Sequence, residues 1–194
     1  MELPSETFSE LSYDPMEMVE TILVEEAMHF ERTPEGDICF SLNGGWRHYD
    51  LWFSYHASGE CLQLCAGLGF KDLWELKGER LSALYELLAL VNQRVWFGHF
   101  ELFSDVPNFE GRAQDDQYGF DIVFRYALAV TSLDRPSMIQ TAHMINRVVE
   151  SVDSFYPAFD MWAKSLKANL PLGDESGSPE SIMAACLFET VGEA

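Results

Sequence analysis

The stretch from residue 38 to residue 70, ICFSLNGGWRHYDLWFSYHASGECLQLCAGLGF, decides the fold. Ile38, Phe40 and Leu42 alternate with Cys39 and Ser41, and Asn43-Gly44-Gly45 follows as a strong hairpin-turn signal. Along 46–56, Tyr49, Leu51, Phe53 and Tyr55 fall on one face, against Trp46, His48, Asp50, Trp52 and Ser54 on the other. Ser58-Gly59-Glu60 makes the next turn, and Leu62, Leu64, Ala66 and Leu68 then share a face opposite Cys61, Gln63 and Cys65. A period of two, interrupted by short turns, predicts a three-stranded antiparallel meander.

Upstream, Asp14-Pro15-Met16-Glu17 reads as a capped helix start. Val19, Ile22, Leu23 and Ala27 continue it at helical spacing, predicting a helix over 15–28. Downstream, Leu81, Leu84, Leu87, Leu88 and Val91 predict a helix over 78–94. Residues 95–103 and 120–130 read as a pair of strands, joined by a link at 105–118 that is long for a hairpin. A helical stretch over 136–166 carries Pro157, which is expected to kink or break it. The order α-βββ-α-ββ-α, plus a C-terminal helix, predicts an α+β domain built on an antiparallel sheet. It divides into an acidic leader over 1–13, the domain over 14–168, a linker over 169–178 and the terminal helix over 179–194.

The 194 residues carry 12 Lys+Arg against 32 Asp+Glu, a net charge of −20, with 47% hydrophobic residues. That balance opposes a nucleic-acid backbone as partner, which needs clustered cations, and it opposes docking on an anionic membrane. Much of the acidity sits towards the ends: residues 1–37 hold 11 acids and one base, and residues 173–194 hold five acids and no base. No run approaches the roughly 18 apolar residues of a spanning helix, and the first residues show no export signal, so a cytoplasmic address is expected.

No motif carries a reaction. The five histidines (29, 48, 56, 99 and 143) stand singly, with no pair at metal-ligand spacing. Cys61 and Cys65 share a strand face, but four residues of strand, about 13 Å, separate them too far to hold one ion. Gly67-Leu68-Gly69-Phe70 matches the carboxylate-capturing loop of PDZ domains in letters, though not in surroundings, and reads as a strand-end turn. Acid pairs such as Glu25-Glu26 and Asp115-Asp116 are expected by chance among so many carboxylates. The reading is therefore non-enzymatic, with no catalytic residue, metal or cofactor.

The aromatic residues, 13% of the chain, carry the functional signal. Both faces of the strand over 46–56 are partly apolar, so the face turned away from the helices needs a cover from this chain, a second copy or a partner. Trp46, Trp52, Trp96, Phe97 and Phe100 are the candidate partner-binding side chains. The expected action is capture of an apolar protein segment, by strand addition or by a helix in a groove. One alternative is an oligomerisation scaffold, a homodimer through the helix over 78–94 and the strand over 95–103. The other is an enzyme or metal site assembled from scattered His and acidic residues.

The segments GGWRHYDLWFSYHASGECLQLCAGLGF, LYELLALVNQRVWFGHFELFS and DSFYPAF, with the closing LFETVGEA, resemble the YbjN family of bacterial proteins, described as sensory transduction regulators. The most specific parts are Asn92 to Phe103 and Tyr156-Pro157-Ala158-Phe159. The resemblance implies a fold similar to type III secretion chaperones, which are small acidic cytoplasmic proteins, usually homodimers, that hold an unfolded segment of a partner. It implies no catalytic residue.

Overall fold

The computed structural model describes residues 14–70, 73, 76–103, 121–130, 136–167 and 178–189. Among these the elements run α1 (Pro15–Glu25), β1 (Phe30–Arg32), β2 (Ile38–Asn43), β3 (His48–His56), β4 (Cys61–Gly67), α2 (Glu79–Asn92), β5 (His99–Phe103), β6 (Asp121–Ala129), α3 (Met138–Lys167) and α4 (Pro179–Glu189). The leader expected over 1–13 and the link over 105–118 lie outside the described residues. So does the linker expected over 169–178, apart from Ser178.

The six strands form one antiparallel sheet in the order β1-β2-β3-β4-β6-β5, an α+β architecture. The expected meander gains a strand. Phe30-Glu31-Arg32 pairs with Ile38–Phe40 and is too short to show an alternation in sequence. β6 slots between β4 and β5, so β1 and β5 are the two edges.

One face of the sheet carries Leu51, Phe53, Leu62, Leu64, Ala66, Ile122 and Phe124 into a core shared with α1, α2, α3 and α4. The opposite face holds a smaller cluster of Cys39, Trp52, Cys65 and Val123, with Phe103 against it. Register puts Cys39, Trp52 and Cys65 side by side on β2, β3 and β4, and this is why Trp52 is buried.

Helix α1 begins as its sequence indicates: the Asp14 carboxylate accepts from the Met16 N–H at 2.9 Å, with Pro15 in the first turn. It stops three residues before the expected end. Ala27, at φ 54°, turns the chain left-handed while Met28 N–H donates to Leu23 C=O and Ala27 N–H to Val24 C=O. That is the Schellman closure, usually signalled by glycine and here hidden behind an alanine.

Of the two effects expected of Pro157, the break does not occur: α3 runs unbroken from Met138 to Lys167. A proline at 157 leaves the carbonyl of Asp153, one turn back, without its helical donor. The indole N–H of Trp46 supplies one, donating to Asp153 C=O at 3.0 Å. The two substitutions Trp46→Phe and Pro157→Ala are therefore coupled. Trp46→Phe alone should cost about 1 kcal/mol, and the cost should shrink when Pro157→Ala restores a backbone donor. Urea melts of the four proteins measure this; equal costs in both backgrounds would contradict the coupling.

The same turn is held to α3 a second way. Gly45 N–H donates to both Asp153 carboxylate oxygens at 2.9 and 3.0 Å, and the buried Tyr49 hydroxyl donates to Asp153 Oδ1 at 2.8 Å. Gly44 has to be glycine, since a β-carbon there would strike the Tyr49 ring and the Asp153 carboxylate. Beyond this clasp, Tyr156 stacks on Phe70 at 5.5 Å, and Phe159 packs against Phe70 and Phe100. Tyr156, Ala158 and Phe159 of Tyr156-Pro157-Ala158-Phe159 thus have packing tasks, Ala158 being fully buried.

The turn after β4 is bound by the first residue of β6. The buried Asp121 carboxylate accepts from Gly69 N–H at 2.7 Å, Phe70 N–H at 2.9 Å and Ile122 N–H at 2.8 Å. The loop that resembles a carboxylate trap in letters is filled by a carboxylate of its own chain.

Candidate interaction surface

The segment from Gln93 to Gly98 leaves α2 and enters β5. The strand expected over 95–103 starts only at His99, and Gly98 is the reason. Its φ of 75° is left-handed, and a β-carbon there would collide with the Arg125 carbonyl. The kink pushes the two residues before it off the sheet. Trp96 is 92% exposed, the most open large apolar side chain among the described residues, and Phe97 is 47% exposed. Phe97 is not loose: it lies 6.1 Å from the Tyr126 ring, and the Arg147 guanidinium sits 5.5 Å over its face. The result is an aromatic ridge beside the β5 edge, its Phe97 held in place, with Arg94 two residues before Trp96 and Arg147 alongside Phe97.

The expected site residues separate into two groups. Trp46, 60% exposed, lies in the turn before β3 rather than on a strand face, and its indole is committed to Asp153. Trp52 (4% exposed) and Phe100 (2% exposed) are interior, which corrects their reading as partner contacts. Phe100 packs on Phe124, Phe155 and Phe159 in the main core. Trp52 belongs to the small cluster on the far face. Trp96 and Phe97 are neighbours in the chain, and both are exposed.

The sheet edges argue against strand addition. At β5 the Asn92 side chain acts as a one-residue neighbour: its Oδ1 accepts from Phe100 N–H at 2.7 Å and its Nδ2 donates to Phe100 C=O at 2.9 Å. At the other edge, β1 is three residues long and ends in Glu31-Arg32, with Arg32 paired to Glu20 and Asp14. Short, charged or capped edges are how sheets avoid recruiting further strands.

The rest of the surface offers little chemistry. Near α1 an open depression of about 310 Å³ is lined by Asp14, Met16, Arg32, Glu35, Gly36, Asp37 and Tyr55, with Arg32 already paired to Asp14 of that lining and to Glu20 outside it. Among the described residues no three His, Cys, Asp or Glu side chains are grouped to hold a metal ion. His99 lies 3.3 Å from Glu101, whose carboxylate also binds Arg125, and Arg125 in turn covers the Phe103 ring at 5.2 Å.

Burial, reinforced by nearby carboxylates, pushes the Cys39 thiol up to about 11, and burial pushes Cys65 up to about 12 despite Arg125. Tyr49 moves upward too, through burial and its bond to Asp153. These groups stay neutral when folded, while in the unfolded chain the thiols ionise from about pH 9. Their contribution is thus intact below pH 9 and is lost as pH rises from there towards 11–12. The unfolding free energy should fall across that window, and Cys39→Ala/Cys65→Ala should flatten the fall. Denaturant melts between pH 8 and pH 11 test this; a slope unchanged by the substitutions would contradict it.

No helix among the described residues is long and apolar enough to cross a membrane. No curated protein matches the chain. A family model described as "YbjN: Putative bacterial sensory transduction regulator" matches residues 15–161, from the start of α1 into the last turns of α3, and stops short of the closing LFETVGEA. The match takes in the Asn92–Phe103 and Tyr156–Phe159 segments and three quarters of the chain, so the protein belongs to the YbjN family.

Proposed function

We propose that this YbjN-family protein is a non-enzymatic cytoplasmic regulator that binds an apolar segment of a partner protein on the Trp96–Phe97 ridge. The observation that carries the reading is a tryptophan left 92% exposed by a glycine-enforced kink, next to a phenylalanine pinned by Arg147. Large aromatic side chains held rigid at the surface lose little entropy on binding and dominate interface energetics. Capture as a helix or an irregular segment laid across the ridge fits better than strand addition, because Asn92 already occupies the β5 edge at Phe100. The acidic surface elsewhere discourages anionic competitors. The kinship with secretion chaperones implied by the sequence resemblance points the same way, as a fold analogy.

The double variant Trp96→Ala/Phe97→Ala tests the reading. Suppression of aggregation of a reduced, unfolded client protein should weaken about tenfold or more, with the melting temperature little changed. Equal suppression by the variant would reject the ridge.

A second reading uses the same ridge for a twofold contact between copies, favoured by the exposure of Tyr85 on α2 as well as Trp96. Sedimentation at high protein concentration separates the two. A dimer lost on Trp96→Ala supports the second, and a monomer supports the first.

A further inference from the structure

About one residue in six of this chain is Asp or Glu, yet none falls in 87–100 or in 135–149, its two longest runs without an acid. The first run passes from the later turns of α2 through the ridge into β5, and the second opens α3. They meet where the Arg147 guanidinium sits 5.5 Å over the Phe97 ring. Arg147 also pairs with Glu150 at 3.3 Å, but both side chains are more than half exposed, so that pair contributes little. Arg94 bonds the Leu90 carbonyl and has no carboxylate partner among the described residues. On α3, Ile139, His143 and Arg147 stand at i, i+4 and i+8 and follow one another along one face. All three are exposed, Ile139 at 70%. Eight residues of helix place Ile139 about 12 Å from Arg147 along the axis.

From these observations we infer that the ridge is one end of a longer docking strip, which runs along α3 to Ile139 and takes an acidic segment of a partner protein with apolar residues at both ends. The inference rests on the Trp96–Phe97 reading and adds to it the charge and the length of the partner segment. One apolar end lies on Trp96 and Phe97 and the other on Ile139, while carboxylates between or beside them meet Arg147 and Arg94. The net charge of −20 repels such a segment at long range. At physiological ionic strength charges beyond about 8 Å are largely screened, so contact answers to the sign of the strip rather than to that of the whole protein. A basic apolar segment meets like charge at Arg94 and Arg147, and a merely acidic one has nothing to set on Ile139 or Trp96.

The probes are two fluorescent synthetic peptides of about 16 residues, long enough for four helical turns. Both carry leucines at either end; one has glutamates between them and the other lysines. Titrated into the full chain, the glutamate peptide should bind about tenfold more tightly or better. Full-length Arg94→Glu/Arg147→Glu should reverse that preference. Ile139→Ala should weaken the glutamate peptide about fivefold. All three side chains are exposed, so the melting temperature should hold in each variant.

Equal binding of the two peptides, or tighter binding of the lysine peptide, would overturn the inference, and so would a glutamate peptide indifferent to Ile139→Ala. In either case, binding that is still lost on Trp96→Ala/Phe97→Ala leaves the ridge reading standing, and binding that ignores this double variant rejects the ridge as well. A glutamate peptide with no affinity below about 1 mM would reject the strip. A dimer of the free protein that the peptide breaks up would assign the strip to a second copy and overturn the partner.

Discussion

Asp121→Ala should lower the unfolding free energy by about 3–5 kcal/mol. Its carboxylate is the acceptor for three backbone N–H groups, those of Gly69, Phe70 and Ile122, and it is only 5% exposed. Removing it takes the acceptor from donors just after β4 and at the start of β6, among which Ile122 is fully buried while Gly69 and Phe70 are half-buried. Asp121→Asn should cost less, about 2–3 kcal/mol, because one oxygen still accepts while the new amide group faces a donor. Urea denaturation measures both values, with an unchanged m-value showing that the fold itself persists. A loss below about 1 kcal/mol for the alanine variant would mean that the turn finds other acceptors.

Asp153→Ala should cost about 2–3 kcal/mol. This carboxylate joins the β2–β3 turn to α3 through Gly45 N–H and the Tyr49 hydroxyl. The Gly45 end is exposed, so water replaces part of that bond. The Tyr49 hydroxyl belongs to a side chain only 1% exposed, and its loss is the larger part. Tyr49→Phe should therefore be less damaging in the Asp153→Ala background than in the wild type, by about 1 kcal/mol. Independent costs in a double-mutant cycle would show that the two side chains do not share the interaction. The Trp46 bond survives this substitution, because it goes to the Asp153 backbone carbonyl.

How far the sequence could be read follows from the range of each interaction. The alternation of Ile38, Phe40 and Leu42, and of Tyr49, Leu51, Phe53 and Tyr55, marks the strand faces that pair across β2 and β3 and enter the main core. The helical spacing of Leu84, Leu87, Leu88 and Val91 places α2 to within two residues of its ends. What escaped was non-local or disguised. Ala27 closes α1 in a conformation normally marked by glycine. Pro157 looks like a helix breaker until a tryptophan 107 residues before Asp153 supplies the missing donor. Asn92 reads as an ordinary helix-end residue, yet it caps a strand edge eight residues on.

Among the candidate binding residues, composition could not say which face of the sheet was already filled. Trp52 and Phe100 are apolar for the interior, while Trp96 and Phe97 are apolar at the surface. One local signal separates the two cases. Gly98 interrupts what otherwise reads as a strand, and a glycine inside a strand pattern marks a bend that turns its neighbours outward.

If a partner sits on the proposed ridge, fluorine NMR of 5-fluorotryptophan-labelled protein should register it at Trp96. The five tryptophans give separable signals, assigned by single substitutions. Titration with an unfolded client should shift or broaden the Trp96 signal first, leaving those of the buried Trp52 and Trp162 in place. A client that binds while the Trp96 signal stays unmoved would place the binding site elsewhere on the protein.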